Sequence, residues 1–377
     1  MPIIIEKPTI SCDGQRLDII IHSKGSAFHL FFYSEDVALW SSPEALVAAT
    51  LLPAMKTKAG SIQLQNQPSP LFMQNLEKIQ AIYKSWKPGY QHVQIKATQP
   101  SLFTGTSGER VGLFYSAGVD SSYSLLKHQD QITDLIFIQG FDIPYDSQNL
   151  IEKRAEKIYR VADHLGIGVV EIQTNLRKFL DTNVFWGLSH GAALACMGHL
   201  LSSEFSRIFI APGYSQRALR PWGSHPHLDP LWSNESLEFI HNEEDLVRPQ
   251  RVAQIANNQA ILDNLHVCLH NLPSGLNCGK CEKCVRTMIS LRALGVLNRC
   301  KTFEHPLTNW SIYSTYLFRS DIRYFVDFNL ELAEQVGSDQ DLIKILRQIS
   351  KSPRLPGIRK TISRLGWKQP GKIARKF

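Results

Sequence analysis

The stretch LFYSAGVDSSYSLLK, residues 113 to 127, decides the fold class. An apolar run leads into a turn of small residues and an amphipathic stretch follows at once, which predicts a strand, a tight loop and a helix. The loop would lie at the amino end of the helix, where backbone N–H groups converge and favour an anion such as phosphate. The hydroxyl groups of Ser116, Ser121 and Ser122 would add donors to this anion site.

The same segment has a simpler interpretation, in which Asp120 and Ser121 only cap the helix after an ordinary strand-to-helix turn. Two common nucleotide-binding loops are absent from the sequence. It contains neither the GxxxxGKS or GxxxxGKT pattern of a Walker A loop nor the GxGxxG pattern of a dinucleotide-binding fold. A phosphate site here would therefore be of another type.

Short apolar segments alternate with helical ones after this loop. The predicted strands cover residues 111–116, 134–141, 168–174, 207–213 and 237–242, and the predicted helices between them include 149–165 and 191–205. Strands separated by helices of this length predict an α/β fold with a doubly wound parallel sheet, at about residues 105–300. Ligands of such sheets bind at the carboxyl ends of the strands.

The two flanks of this core have a different pattern. Residues 1–100 alternate like strands at 17–22 and 27–33 and then turn helical, which predicts a small α+β module of unknown role. Residues 301–377 are predicted to form a helical extension that ends in a basic tail. The chain is thus expected to consist of three segments.

Four of the seven cysteines crowd into one short segment, at Cys268, Cys278, Cys281 and Cys284. Thiolates that are spaced by two residues fold round a single ion, so this cluster predicts a zinc knuckle with four sulfur ligands. Gly279 would allow the turn of the knuckle, and an iron–sulfur cluster is the alternative metal centre. The other three cysteines, Cys12, Cys196 and Cys300, are interpreted as small buried hydrophobic residues.

The net charge of +7 originates in the tail, because residues 351–377 contain nine lysines and arginines and no acidic residue. Such a tail could contact RNA phosphates or an anionic membrane surface, and a disordered, solvated tail is the alternative. The first residues lack a basic leader, and no apolar stretch is long enough to span a bilayer, so a cytoplasmic protein is expected. The oligomeric state stays open, a homodimer included.

The loop resembles the SGGxDS signature of the PP-loop ATP pyrophosphatases, whose fold is that of the adenine nucleotide alpha-hydrolases. Ser116, Gly118, Asp120 and Ser121 match the signature, and Ala117 departs from its first glycine. The resemblance implies that ATP and Mg²⁺ bind here and that Ser116 and Asp120 take part in catalysis. The cofactor-binding residues that it implies are Ser116, Ala117, Gly118, Val119, Asp120, Ser121 and Ser122 for the pyrophosphate, and Gln139, Gly140 and Phe141 for the adenine.

The loop and the cysteine cluster together, over about residues 108–295, resemble the 7-cyano-7-deazaguanine synthase family. This resemblance implies an ATP-dependent ligase that adenylates a small-molecule carboxylate (or carbonyl), releases pyrophosphate and then amidates the substrate, with a bound Zn²⁺. A tRNA-modifying sulfurtransferase is one alternative, and it would need a reactive thiol outside the metal site. A degenerate nucleotide-binding protein is the other alternative, and Ala117 favours it.

Some polar residues outside these motifs are weaker candidates. His225, His227 and Asp229 fall between the fourth and fifth predicted strands, where they could contact a substrate or lie in a solvated, proline-rich loop. Guanidinium groups can bind carboxylates or phosphates, but they are also common surface charges. The arginines in question are Arg217, Arg220 and Arg248, and His190 could cap a helix or line the site.

Overall fold

A boundary between two parts of the chain runs through the loop that follows the first predicted core strand. The computed structural model describes residues 1–101, 108–242, 245–316 and 322–352. The first unit comprises Met1–Ser116 and Ser124–Glu244, and the second unit comprises Ala117–Tyr123 and Asp245–Phe377. The predicted basic tail lies outside the described residues, apart from Lys351 and Ser352.

The strands and helices of the described residues follow the chain in this order. The strands are β1 (Ile3–Ile5), β2 (Thr9–Ile10), β3 (Arg16–Ser23), β4 (Ser26–Tyr33), β5 (Ser61–Asn66), β6 (Gln94–Gln99), β7 (Arg110–Phe114), β8 (Asp134–Gln139), β9 (Gly168–Thr174), β10 (Phe205–Ile210) and β11 (Glu238–His241). The helices are α1 (Pro43–Thr57), α2 (Pro70–Trp86), α3 (Val119–Lys127), α4 (Gln148–Leu165), α5 (Leu176–Asn183), α6 (Trp186–Leu200), α7 (Arg248–Ile255), α8 (Gln259–Asn264), α9 (Glu282–Ala293), α10 (Asn309–Tyr316), α11 (Tyr324–Val336) and α12 (Gln340–Lys351).

All these strands belong to one mixed sheet in the first unit, with the order β11-β10-β7-β8-β9-β4-β3-β1-β5-β6 and β2 beside β3. The α/β class is confirmed. The five strands from β7 to β11 pair in parallel, as the sequence predicts. The sheet as a whole is mixed, because β4 joins β9 in antiparallel orientation and forms a hairpin with β3.

The antiparallel part of the sheet has a local cause. The β3–β4 hairpin turns at Lys24 and Gly25, whose φ angles are 52° and 80°. Two successive residues in the left-handed region are typical of the tight turns that join antiparallel strands. Residues 1–100 and the parallel strands thus contribute to the same sheet.

Side chains after β9 extend the junction between β4 and β9 beyond its ladder. The ladder pairs Phe32 with Thr174. The Asn175 side chain then accepts a hydrogen bond from Phe31 N–H at 3.0 Å and donates one to His29 O at 2.8 Å. This asparagine satisfies two backbone groups of β4 that the short ladder leaves without a strand partner.

The core of the first unit includes the packing of α1 against α6. Both helices are nearly buried all round, and Ala48, Leu51, Ala192 and Ala195 are at most 1% exposed. The second unit has its own core between α9, α10, α11 and α12, which includes Val285, Ile289, Leu342 and Leu346.

Within the described residues, the longest apolar stretch of any helix is too short or too polar to cross a bilayer.

Asn175→Ala should lower the free energy of unfolding by about 1–3 kcal/mol, because it leaves two backbone groups of β4 without their hydrogen-bond partner. Asn175 makes no side-chain capping bond to α5, so capping does not contribute to this loss. Urea denaturation would measure the change. The matched control is Asn183→Ala at the other end of α5, whose amide donates to Phe179 O within that helix. Equal effects of the two substitutions would contradict the interpretation.

Candidate functional site

Ala117, the first residue of the loop in the second unit, has a left-handed backbone. Its φ angle is +59°, and it is 1% exposed. Its carbonyl oxygen accepts a hydrogen bond from His266 N–H at 2.8 Å. An L-residue in this region is disfavoured by roughly 1–2 kcal/mol, and glycine is not. The sequence does not show whether this φ is positive or negative. In the structure it is positive, which suits a glycine.

The following residues of the loop are tied together by their own hydrogen bonds. Ser121 Oγ accepts a bond from Gly118 N–H at 3.2 Å, and Ser122 N–H donates to Gly118 O at 2.9 Å. Both serines are buried. In this conformation the Ser121 hydroxyl stabilises the turn that begins α3, which is also what the simpler capping interpretation expects of it.

The remaining predicted nucleotide residues lie in the first unit. The carbonyl oxygen of Ser116 accepts a hydrogen bond from Arg154 Nη1 at 3.1 Å. Gln139 ends β8, and Gly140 donates its N–H to Ile143 O at 2.9 Å. Phe141 O accepts a hydrogen bond from the Arg177 guanidinium. The backbone after β8 is therefore engaged within its own unit.

Asp120, in the first turn of α3, is held between two arginines of α7. Its Oδ1 accepts a hydrogen bond from Arg251 Nη1 at 2.9 Å, and its Oδ2 pairs with Arg248 Nη1. Burial alone would raise the pKa of Asp120, but the charges of Arg248, Arg251 and Arg286 outweigh it and hold that pKa below its usual range. The carboxylate is therefore charged at neutral pH.

The arginines in turn lie close enough to repel one another. Burial lowers the pKa of Arg248 to about 10, and Arg286 and Arg251 contribute to the shift in spite of the attraction to Asp120. Arg286 is 7% exposed, pairs with Glu282 at 3.5 Å and stacks on the ring of Phe325 at 4.1 Å. The sequence identified Asp120 and Arg248 as candidates but gave no reason to join them.

The four clustered cysteines come together as predicted. Their sulfur atoms all lie within 4.8 Å of one another, and the separations include 3.4, 3.8 and 4.0 Å. A tetrahedral ion with metal–sulfur bonds of about 2.3 Å would place its sulfurs about 3.8 Å apart. Cys268, Cys278, Cys281 and Cys284 could therefore hold one metal ion such as zinc.

The backbone around the cysteines favours thiolates. The N–H groups of Lys280 and Cys281 point at Cys278 Sγ, at 3.4 and 3.2 Å. Thiolate is the form of cysteine that binds metals.

Two residues beside the ligands fix the shape of the knuckle. Gly279 has a φ of +68°, and a Cβ there would lie 2.3 Å from His305 O, so this position requires glycine. Asn277 is fully buried, accepts bonds from the N–H groups of Val267 and Cys268, and donates to Leu265 O. It thereby joins the two chain segments that carry the ligands.

In the first unit, Asp229 organises a buried network that the sequence only partly predicts. The carboxylate is fully buried and accepts hydrogen bonds from Ser224 Oγ at 2.7 Å and from His225 N–H at 3.3 Å. Its Oδ2 also lies 2.7 Å from Nδ1 of His241, the last residue of β11. His225 and Asp229 are therefore not in a solvated loop, whereas His227 is exposed. Among the described residues, this group does not form a second metal cluster.

Two histidines of this region act as acceptors of backbone N–H groups. His190 Nε2 lies 3.2 Å from Ser224 N, and His225 Nδ1 lies 3.1 Å from His227 N. A protonated ring could not accept either bond. Arg220, one of the candidate arginines from the sequence, lies over the ring of Tyr214, with its Cζ atom 4.2 Å from the ring centroid.

Conversion of Cys281 to serine should remove the metal and lower the melting temperature. A bound structural ion contributes folding energy directly, and a loss of about 2 kcal/mol corresponds to roughly 4–8 °C. Elemental analysis and calorimetry would measure the two effects. Cys12→Ser, at an exposed cysteine, is the control and should change neither. Metal-free protein with an unchanged melting temperature would refute a structural metal.

The first unit should lose stability as the pH falls below about 6.5. Burial lowers the pKa of both His199 and His225, and for His225 the charges of His227 and His241 act in the same direction, against Asp229. Groups with a lowered folded-state pKa take up protons on unfolding, so stability is complete above the unfolded pKa of about 6.5 and is lost below it. Urea unfolding at pH 7.5 and 5.5 would measure this difference.

The control for the pH dependence is a pair of matched substitutions. His225→Gln should reduce the loss of stability between pH 7.5 and 5.5, whereas His164→Gln at an exposed position should leave it unchanged. If the protein is equally stable at both pH values, the two buried imidazoles do not control its acid stability.

Comparisons with known proteins found no relative of this chain. No family model, curated protein or solved structure matches the chain.

Proposed function

We propose that the chain is an ATP-dependent ligase that adenylates a small-molecule carboxylate, releases pyrophosphate and then amidates the carboxylate. One observation carries the proposal. Ala117, at the position of the first glycine of the SGGxDS signature, has a left-handed backbone that suits a glycine, and this supports the resemblance. The start of a helix favours the negative charge of a phosphate, because its first N–H groups have no acceptor within the helix.

The charge around Asp120 supports binding of a polyphosphate in the second unit. The sequence contains no Walker lysine, which in other nucleotide-binding loops stabilises the terminal phosphate. Arg248 and Arg251 can supply that positive charge, and guanidinium groups match the geometry of phosphate oxygens better than ammonium groups do. Because both carboxylate oxygens of Asp120 contact these arginines, its proposed role is to orient them rather than to bind Mg²⁺ directly.

The proposed ligase uses zinc as a structural ion. The four sulfurs lie too close together for ligands of separate irons in a cluster, and they match the spacing round one tetrahedral ion. A site with four thiolates leaves no open position for water or substrate, so the ion would not take part in the reaction. Mg²⁺ would enter the site together with ATP.

The sulfurtransferase alternative has less support. It needs an exposed, acidic thiol outside the metal site. Cys196 is 1% exposed, and burial raises its pKa far above the usual range. Cys300 is also buried and contacts Leu262 O. Only Cys12 is exposed among these three cysteines.

The products of ATP cleavage test the proposal. The full-length protein, incubated with ATP, Mg²⁺, ammonia and a panel of heteroaromatic and aliphatic carboxylates, should form AMP and pyrophosphate, as measured by ³¹P NMR. Asp120→Asn should reduce turnover at least about tenfold, because the neutral amide no longer holds the two arginines. Asp130→Asn, at an exposed position, is the control. Formation of ADP and phosphate would refute the proposed reaction.

A further inference from the structure

Residues 265–268 of the second unit connect the loop before α3 to the cysteine cluster. His266 N–H donates a hydrogen bond to Ala117 O at 2.8 Å. Two residues later, Cys268 contributes its sulfur to the four-cysteine cluster. Two residues of chain span at most about 7 Å, so one short segment carries both contacts.

Asn277 binds this segment through its side-chain amide. Its Oδ1 accepts hydrogen bonds from Val267 N–H at 2.7 Å and from Cys268 N–H at 3.0 Å, and its Nδ2 donates to Leu265 O at 2.9 Å. Nδ2 also donates to Thr302 Oγ1 at 2.9 Å. The side chain is fully buried, and all the hydrogen-bonding positions of the amide are used.

The backbone of Asn277 is anchored as well. Its N–H donates to Thr302 O, and its carbonyl oxygen accepts a bond from Glu304 N–H, both at 2.9 Å. The ligand Cys278 follows directly in the chain. A buried amide that would lose its partners is costly to displace, so Asn277 ties Cys268 and Cys278 to each other.

We infer that Asn277 is a positioning residue through which a metal bound by the four cysteines holds the backbone of the loop at Ala117. Such a metal would restrict Cys268 and Cys278, which the amide of Asn277 already joins. The bonds of this amide to Leu265 O and Val267 N–H lie on either side of His266, so they fix the direction of its N–H.

The loop needs such a support. The left-handed backbone of Ala117 is disfavoured in itself and persists only where its surroundings hold it. The bond from His266 N–H to Ala117 O is one contact that does so. The inference rests on the proposed structural metal and is independent of the ligase reaction.

Hydrogen–deuterium exchange of the full-length protein, with Zn²⁺ bound and after its removal by a chelator, measures this coupling. Removal of the metal should speed exchange in residues 117–123 at least about fivefold, the order expected when a hydrogen bond that holds a segment is lost. Exchange in α12, which lies in the core of the same unit, should change by a smaller factor. An equal rise in α12 would overturn the inference, because the metal would then only stabilise the unit as a whole.

Asn277→Ala should weaken Zn²⁺ binding about 10–100-fold, as substitutions of residues that orient metal ligands do, and competition with a chelator would measure the affinity. At saturating Zn²⁺ this variant should still show faster exchange in residues 117–123, because alanine does not hold the segment beside His266. Removal of the metal from the wild type requires no substitution and tests the inference even if the alanine protein does not fold.

The matched control is Asn329→Ala, at another buried asparagine of the second unit, which accepts a bond from Ser290 Oγ and donates one to Phe325 O. It should lower the stability but leave the Zn²⁺ affinity and the exchange of residues 117–123 at their wild-type values. The inference is overturned if removal of the metal leaves this exchange unchanged, or if the Asn277 and Asn329 variants behave alike.

The same measurements separate this inference from the proposed reaction. A protein that releases AMP from ATP but whose loop does not respond to removal of the metal would overturn the inference and leave the ligase in place. Formation of ADP by a protein whose loop does respond would do the reverse. A chain that binds no Zn²⁺ would refute the structural metal and this inference together.

Discussion

The candidate site of the second unit depends on the ion pairs that the Asp120 carboxylate forms with Arg248 and Arg251. It belongs to α3, and through Arg248 and Arg251 it binds a helix that follows more than a hundred residues later in the chain. Removal of one partner of a buried ion pair leaves the other charge uncompensated, which is far less favourable than the intact pair. The pair therefore fixes the arginines and the first turn of α3 as one arrangement, before any ligand binds.

The cysteine cluster continues this arrangement along α9. Cys281 precedes the helix, Cys284 lies in its first turn, and Arg286 follows two residues later. A metal held by both cysteines would fix the start of α9 and with it the position of Arg286.

Local patterns predicted much of the fold and the cysteine cluster. Apolar runs predicted the bounds of the strands β7 to β11 to within a few residues, and the spacing of the cysteines predicted their cluster. Both predictions succeeded because each signal lies within a short segment of the chain. Contacts between distant segments were not predictable. Nothing in the sequence shows that Asp120 pairs with Arg251, that Asn277 joins the ligand segments, or that β4 pairs with β9 to make the sheet mixed.

Ala117 shows how a residue other than glycine can hold a left-handed backbone. Its left-handed conformation is disfavoured by roughly 1–2 kcal/mol, so other interactions must hold it. The described contacts that do so are the hydrogen bond from His266 N–H to its carbonyl oxygen and the burial of its methyl group. The conformation is therefore imposed by the packing of the second unit rather than by the loop's own preference. An alanine that is held in this way keeps the turn that a glycine would adopt, and it leaves the unfolded chain less flexible than a glycine would.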